Sequence, residues 1–149
     1  MASSRFVPAL FLCLLLCCAA ALAEQSVEND THVVHFNALS TDKLTPEVAR
    51  AYGIMRSQNR AMLNITVMKK GGEGALDQPT TGDVSASATN LTGQRRDLEM
   101  RLIEDQDAIY YIGMVRVADQ ETLDFSIQVL VDGAEEPLTA TFRQQFFVD

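Results

Sequence analysis

Apolar and polar residues alternate along most of the chain beyond residue 31, which is the pattern of strands that bury one face. The alternation is sharpest in segment 123–131, where Phe125 and Ile127 share one face while Asp124 and Ser126 share the other. Turn-forming residues separate such segments from one another. Together they predict seven short strands, near 32–39, 60–69, 83–91, 98–102, 109–117, 123–131 and 138–148.

One short helix is predicted between the first two strands. Thr45 can cap its N-terminus, Pro46 suits the first helical position, and Gly53 is typical of a helix end. Segment 71–82 has the glycine and proline content of a loop. Seven strands and one short helix predict an all-β fold, an antiparallel β-sandwich of immunoglobulin-like architecture, with a β-barrel as the alternative.

The N-terminal segment is organised like a cleavable signal peptide. A single charge, Arg5, precedes an uncharged stretch that ends in the small-x-small triplet Ala21-Leu22-Ala23. We therefore expect cleavage before Glu24 and export of the remainder. The expected organisation is a signal peptide at 1–23, a flexible leader at 24–31 and a single β-sandwich domain at 32–149.

Two anchored alternatives fit this segment less well. A transmembrane anchor needs roughly 20 apolar residues, for which stretch 6–23 is marginal, and no basic stop-transfer cluster follows it. A lipid anchor would need a small residue before the acylated cysteine, but Leu16 precedes Cys17 and Cys17 precedes Cys18. With Cys13, these are all the cysteines of the chain, so cleavage would leave a domain stabilised by burial without disulfides.

The charge balance excludes some classes of partner. The 20 acidic residues outnumber the 12 basic ones, giving a net charge of −8. No run of Lys or Arg is longer than Lys69-Lys70. Attraction to nucleic acid or to an anionic membrane surface is therefore not expected, nor is stable membrane insertion after cleavage.

The sequence contains no recognisable catalytic or metal-binding constellation. His32 and His35 lie three residues apart on a predicted strand, so they point to opposite faces and cannot share a metal ion. The carboxylates Asp105 and Asp107 lie in a polar turn, which gives neither of them the distinct surroundings that a catalytic acid and base require. No nucleophile elbow of the G-x-S-x-G type or phosphate-binding glycine motif occurs. We expect neither enzymatic activity nor a cofactor.

One stretch is unusual for an acidic protein. Cationic and amide groups gather after the predicted helix, where they could hold a small anion or a carboxylate-bearing partner. Neutralisation of nearby acidic residues is the alternative. The candidate binding residues are Arg50, Arg56, Ser57, Asn59 and Arg60.

Three blocks of sequence resemble a known family. They are HFNALSTDKLTPEVARAYGIMRSQNRAMLNITV at 35–67, ATNLTGQ at 88–94 and AIYYIG at 108–113. The chain resembles domain-of-unknown-function family 4426 (DUF4426), small exported proteins of Gram-negative bacteria. The resemblance implies a periplasmic location and a single domain, and it implies no activity or functional residues.

These observations together favour a periplasmic, non-enzymatic binding or interaction module. Its expected partner is a small anionic ligand or an envelope protein. The alternatives are an envelope-assembly or structural accessory protein that acts by strand pairing, and a small hydrolase.

Overall fold

The computed structural model describes residues 25–149, so the predicted signal peptide and its cleavage site lie outside the described residues. The described chain forms two antiparallel sheets, of six and four strands, which confirms the predicted all-β sandwich with one short helix. No helix between residues 25 and 149 is long and apolar enough to cross a membrane.

The strands are β1 (Gln25–Glu28), β2 (His32–Ser40), β3 (Arg60–Lys69), β4 (Gln78–Pro79), β5 (Gly82–Asn90), β6 (Arg95–Leu98), β7 (Arg101–Asp105), β8 (Ala108–Arg116), β9 (Thr122–Val131) and β10 (Leu138–Gln145). The helix α1 spans Pro46–Ala51 and follows a 3₁₀ turn at Thr41–Lys43. The six-stranded sheet has the order β1-β2-β3-β8-β7, with β4 also paired to β3, and the four-stranded sheet has the order β10-β9-β5-β6.

The main core lies between the two sheets. Alternate residues of the facing strands fill it, and Leu63 from β3 and Phe125 from β9 are completely buried there. Tyr111 links the sheets by hydrogen bonds, because its hydroxyl group donates to the Gly82 carbonyl and accepts from the Gly82 N–H, each at 3.0 Å. These two hydrogen bonds replace those that the hydroxyl group would make with water, so its burial is compensated.

Three differences from the sequence prediction raise the number of strands from seven to ten. Residues expected in a leader without regular structure form β1, which pairs with β2. The segment predicted as one strand near 98–102 is two strands in different sheets, since the chain crosses from β6 to β7 at Glu99 and Met100. Inside the predicted loop 71–82, β4 makes a short pairing with β3.

The helix prediction is confirmed in its details. Thr45 accepts a hydrogen bond from the Val48 N–H at 3.3 Å, Pro46 is the first helical residue, and Gly53 adopts a φ of 63° beyond the helix end. Thr41, just before α1, is completely buried and holds the segment that follows the helix. Its hydroxyl group accepts from the Ser57 N–H at 2.9 Å and donates towards the carbonyl groups of Met55 and Ser57.

On the outer face of the four-stranded sheet, Asp124 and Arg143 lie directly opposite each other on β9 and β10. Two hydrogen bonds join them, at 2.6 Å from Nε to Oδ1 and at 2.9 Å from Nη2 to Oδ2. This bidentate contact holds the pKa of Asp124 below its ordinary value and raises that of Arg143. The pair therefore stabilises the fold above the ordinary carboxyl pKa, and this contribution is lost as the pH falls through the lowered pKa of Asp124.

We expect Arg143→Gln to return the pKa of Asp124 towards its ordinary value, because the charged hydrogen-bond donors are removed. Carboxyl-detected NMR titration measures this directly. The matched control is Arg95→Gln, which removes the exposed pair between Arg95 and Asp97 on the same sheet and should leave Asp124 unchanged. An Asp124 pKa that does not move in Arg143→Gln would contradict the assignment.

Candidate functional site

The candidate sites lie on the outer face of the six-stranded sheet, the face turned away from the four-stranded sheet. Helix α1 and the residues after it cover part of this face through a second apolar cluster, in which Ala49 and Ile54 pack on Met62 and Ile112. The Tyr52 carbonyl group at the end of α1 accepts a hydrogen bond from Arg101 Nη2 at 2.6 Å. The helix end is thereby held against β7.

A cavity of about 490 Å³ opens beside this helix end, and we call it the arginine pocket. Its wall combines thioether and aliphatic side chains with charged groups. The lining residues that matter for its chemistry are Arg60, Arg101, Glu99, Met55, Ile112 and Met114.

Arginine side chains lie close together in and next to this pocket. Arg60 on β3 lies directly opposite Arg116 on β8, and like charges in this position destabilise a sheet. Among residues 25–149, the ion pairs involve other cations, and none includes Arg60, Arg101 or Arg116. One carboxylate, Glu99, shares the lining with two guanidinium groups. The pocket therefore carries an excess of positive charge on an acidic protein.

The structure distributes the five residues proposed from the sequence over different places. Arg60 lines the arginine pocket, whereas Arg50 is exposed on α1. Arg56 donates from Nη2 to the Asp42 carbonyl group at 2.8 Å. Ser57 Oγ accepts from the Asn59 N–H at 3.2 Å, so these two residues shape the loop and do not line the cavity.

Arg101 and Arg116 were missed by the sequence interpretation because they lie far from Arg60 along the chain. Pairing of β3 with β8 and of β8 with β7 brings them to the same face. Each is the terminal residue of its strand, and the register that aligns the two strand ends is not visible in a single sequence. The available signal is that each arginine falls within a predicted strand, Arg101 in 98–102 and Arg116 in 109–117.

A second cavity, of about 680 Å³, lies on the same sheet and shares no lining residue with the first. We call it the amide cleft because carboxamide groups dominate its polar lining. Tyr110 and Leu39 complete it, together with Phe36 and Ala38, which belong to the core between the sheets and border the cleft at the edge of β2. Its polar lining residues are Gln25, His35, Asn37, Asn64, Thr66 and Gln144.

Tyr52 lies beside Tyr110, with ring centroids 6.1 Å apart. Its hydroxyl group donates to Asp105 Oδ2 at 3.0 Å. Burial, and then the hydrogen bond to Asp105, raises the pKa of Tyr52 above its ordinary value. Asp105, predicted as a solvated turn residue, is thus a hydrogen-bond acceptor for the helix end.

The two histidines differ in their surroundings. His32 is buried and its Nδ1 lies 2.7 Å from the Thr31 hydroxyl group, whereas His35 lines the amide cleft. Both lie on β2, which pairs with β1 on one side and with β3 on the other. Among residues 25–149, no group of three or more His, Cys, Asp or Glu side chains could hold a metal ion.

Comparison with known proteins identifies relatives of the whole described chain. The family model of DUF4426, a domain of unknown function, matches residues 26–149. A solved DUF4426 family protein from Pseudomonas aeruginosa PAO1 is 33% identical, with a TM-score of 0.70, and the alignment covers 85% of this chain and 96% of that one.

A more distant solved structure has the same fold. It is a copper-bound variant of FetP from uropathogenic Escherichia coli, 12% identical with a TM-score of 0.56, and the alignment covers 83% of this chain and 95% of that one. At this identity the similarity concerns the fold alone. No match was found among curated proteins.

Proposed function

We propose that this chain, which belongs to the DUF4426 family, is a non-enzymatic binding module of the periplasm that holds a small anion bearing an apolar group. The observation that carries the proposal is the unpaired excess of arginine at the arginine pocket. The signal-peptide pattern of residues 1–23 supports the location. The proposal keeps the anionic partner expected from the sequence and adds an apolar group to it. It assigns this ligand to the arginine pocket instead of to the residues that follow α1.

The first argument concerns charge. Arg60 and Arg116 oppose each other, and neither forms an ion pair within residues 25–149, so two like charges lie side by side at an electrostatic cost. A bound anion would remove that cost, because a guanidinium group forms strong charge-assisted hydrogen bonds with a carboxylate or phosphate. Unfavourable local arrangements of this kind are expected where a protein is shaped for binding.

The second argument concerns the apolar wall. Met55 is 68% exposed beside the pocket, and Met114 and Ile112 form its floor. A flexible thioether adapts to varied apolar groups, which suits the recognition of an aliphatic tail. Arginines beside methionines therefore favour an amphiphilic anion such as a fatty carboxylate over a fully hydrated inorganic ion.

Calorimetric titration with octanoate and with inorganic phosphate tests this proposal. We expect octanoate to bind the wild-type protein, and Arg60→Gln to weaken that binding by about tenfold or more, because one charge-assisted interaction is lost. Since Arg60→Gln also removes the repulsion from Arg116, we expect it to unfold at the same temperature as the wild type or higher.

Arg95→Gln is the matched control, because it makes the same charge change on the other sheet. If the affinity for octanoate falls equally in both variants, the loss is due to the change in net charge, and a specific site at Arg60 is contradicted. Absence of binding of either probe at low salt would contradict the proposal as a whole. If phosphate binds and octanoate does not, the pocket is an anion site, but the proposal that its ligand bears an apolar group is contradicted.

A second candidate function, strand pairing with an envelope protein, is favoured by β10. This edge strand of the four-stranded sheet is eight residues long and contains neither proline nor lysine, two of the devices that commonly block an edge. We place it second because an open edge does not define the chemistry of its partner.

A further inference from the structure

We infer that the amide cleft is a second binding site, independent of the arginine pocket, and that it takes a neutral saccharide. The inference rests on the cleft's arrangement of uncharged hydrogen-bonding groups, on an aromatic wall, and on the closure of the neighbouring strand edge. It goes beyond the proposed function, since no residue is shared between the two cavities.

The floor of the cleft is a block of polar side chains on two neighbouring strands. Asn37 on β2 lies opposite Asn64 on β3, and His35 lies opposite Thr66 in the next row. The opposite face of the same strands is apolar and completely buried at Ile65. Asparagine is depleted in strands, so a directly opposed pair on two adjacent strands departs from ordinary sheet composition.

The two asparagines of this floor, Asn37 and Asn64, can hydrogen-bond to a ligand. Asn64 Nδ2 donates to Asn37 Oδ1 in a long hydrogen bond of 3.4 Å, which leaves further donor and acceptor positions on both amides. Asn37 is exposed, and Asn64 and Thr66 are half-buried. A carboxamide offers both a donor and an acceptor, and so matches a saccharide hydroxyl group, which also donates and accepts.

The cleft differs from the arginine pocket in charge. Among residues 25–149, its lining contains no Lys, Arg, Asp or Glu residue, although charged residues make up 21% of the whole sequence. A charged ligand would have no counter-charge here and would lose solvation on binding. The cleft therefore favours a neutral polar ligand.

Tyr110 supplies the apolar part of the recognition. Its ring lines the cleft and is supported by the ring of Tyr52 at a centroid distance of 6.1 Å, tilted by 46°. The C–H face of a sugar ring can pack on such an aromatic surface while its hydroxyl groups reach the amides. At about 680 Å³, the cleft also lies within the usual size range of small-molecule sites.

The neighbouring strand edge argues against a peptide as the occupant. β1 pairs with residues 33–36 of β2, and the same edge of β2 continues to Ser40. A peptide could pair with this continuation as an added strand. Gln144 from β10 already donates from Nε2 to the Ala38 carbonyl group at 2.9 Å at this position. With that acceptor occupied, recognition relies on side chains, as it does for a saccharide.

NMR titration of the side-chain amide signals tests the inference. The probes are maltose, cellobiose and N,N′-diacetylchitobiose, which are neutral disaccharides of differing linkage and substitution. We expect at least one of them to shift the side-chain amide signals of Asn37, Asn64 and Gln144 in a saturable manner. Asn64→Leu should weaken this binding by about tenfold.

The control variant is Gln128→Leu, which makes a similar change at an exposed position of β9 and should bind the saccharide normally. Thermal unfolding of Asn64→Leu verifies its fold, and Tyr110→Leu gives an independent test of the aromatic wall. Titration of Asn64→Leu with octanoate separates the two sites, because the arginine pocket should be unaffected. Absence of saturable shifts with all three probes, or unchanged binding in both Asn64→Leu and Tyr110→Leu, would overturn the inference.

Discussion

Replacement of Phe125 by alanine is expected to lower the free energy of unfolding by about 3–5 kcal/mol, the usual range for removing a large buried aromatic side chain. Phe125 is completely buried between the sheets. Its ring stacks on Phe142 at a centroid distance of 4.8 Å and meets the edge of Phe146 at 6.3 Å. Alanine would leave a cavity and remove both ring contacts, which hold β9, β10 and the segment after β10 together.

Equilibrium unfolding in guanidinium chloride measures this loss. The matched control is Leu130→Ala on the same strand, because Leu130 points away from the core and is 38% exposed. We expect less than about 1 kcal/mol for the control. A loss for Phe125→Ala no larger than that of the control would contradict the placement of Phe125 at the centre of the core.

The second large effect is expected for Thr41→Val, which keeps the shape of the side chain and removes its hydroxyl group. The Ser57 N–H would lose its acceptor, and the carbonyl groups of Met55 and Ser57 would lose their donor. Leaving buried polar groups unpaired costs about 1–3 kcal/mol. Because these residues follow α1 and Met55 lines the arginine pocket, the loss should also loosen that pocket.

Two measurements verify this prediction. The free energy of unfolding should fall, and hydrogen exchange at the Ser57 amide should become faster, since that amide loses its buried partner. Thr141→Val is the control, because Thr141 is an exposed residue of β10. Unchanged exchange at Ser57 in Thr41→Val would show that the hydroxyl group of Thr41 does not hold this segment.

The elements with a complete local signal were predictable from the sequence. The alternation in β3 and β9 encodes which face each strand buries, and the bounds predicted for β3 agree with the structure. The helix was predictable because Thr45, Pro46 and Gly53 act within a few residues of one another. Such signals depend on the local backbone and do not require knowledge of the partner strands.

The missed elements depend on tertiary contacts. The residues of β1 are mostly exposed and polar, and they form a strand because the edge of β2 offers hydrogen-bond partners. The change of sheet between β6 and β7 leaves the apolar alternation unchanged, so it could not be seen in the pattern. At this crossing the Met100 side chain lies against Gly113, where a Cβ atom would lie 2.5 Å from the Met100 sulfur.

The residues of the candidate sites also divide into those with a local sequence signal and those that only tertiary contacts bring together. Arg60 was predicted from local composition, but strand register brings Arg101 into the lining of the pocket and Arg116 opposite Arg60 on the same face. In the amide cleft, Asn37 and Asn64 each resemble an ordinary polar position on a half-buried strand. Their significance arises from direct opposition across β2 and β3.

The strand order also determines when the molecule can assemble. In the six-stranded sheet β3 needs β8 as a neighbour, and in the four-stranded sheet β5 needs β9. Both partners belong to the last third of the chain, so a nascent chain that ends before them can complete neither sheet. Long-range pairing of this kind slows folding. We therefore expect the nascent chain to stay largely unfolded until β8 and β9 have been synthesised.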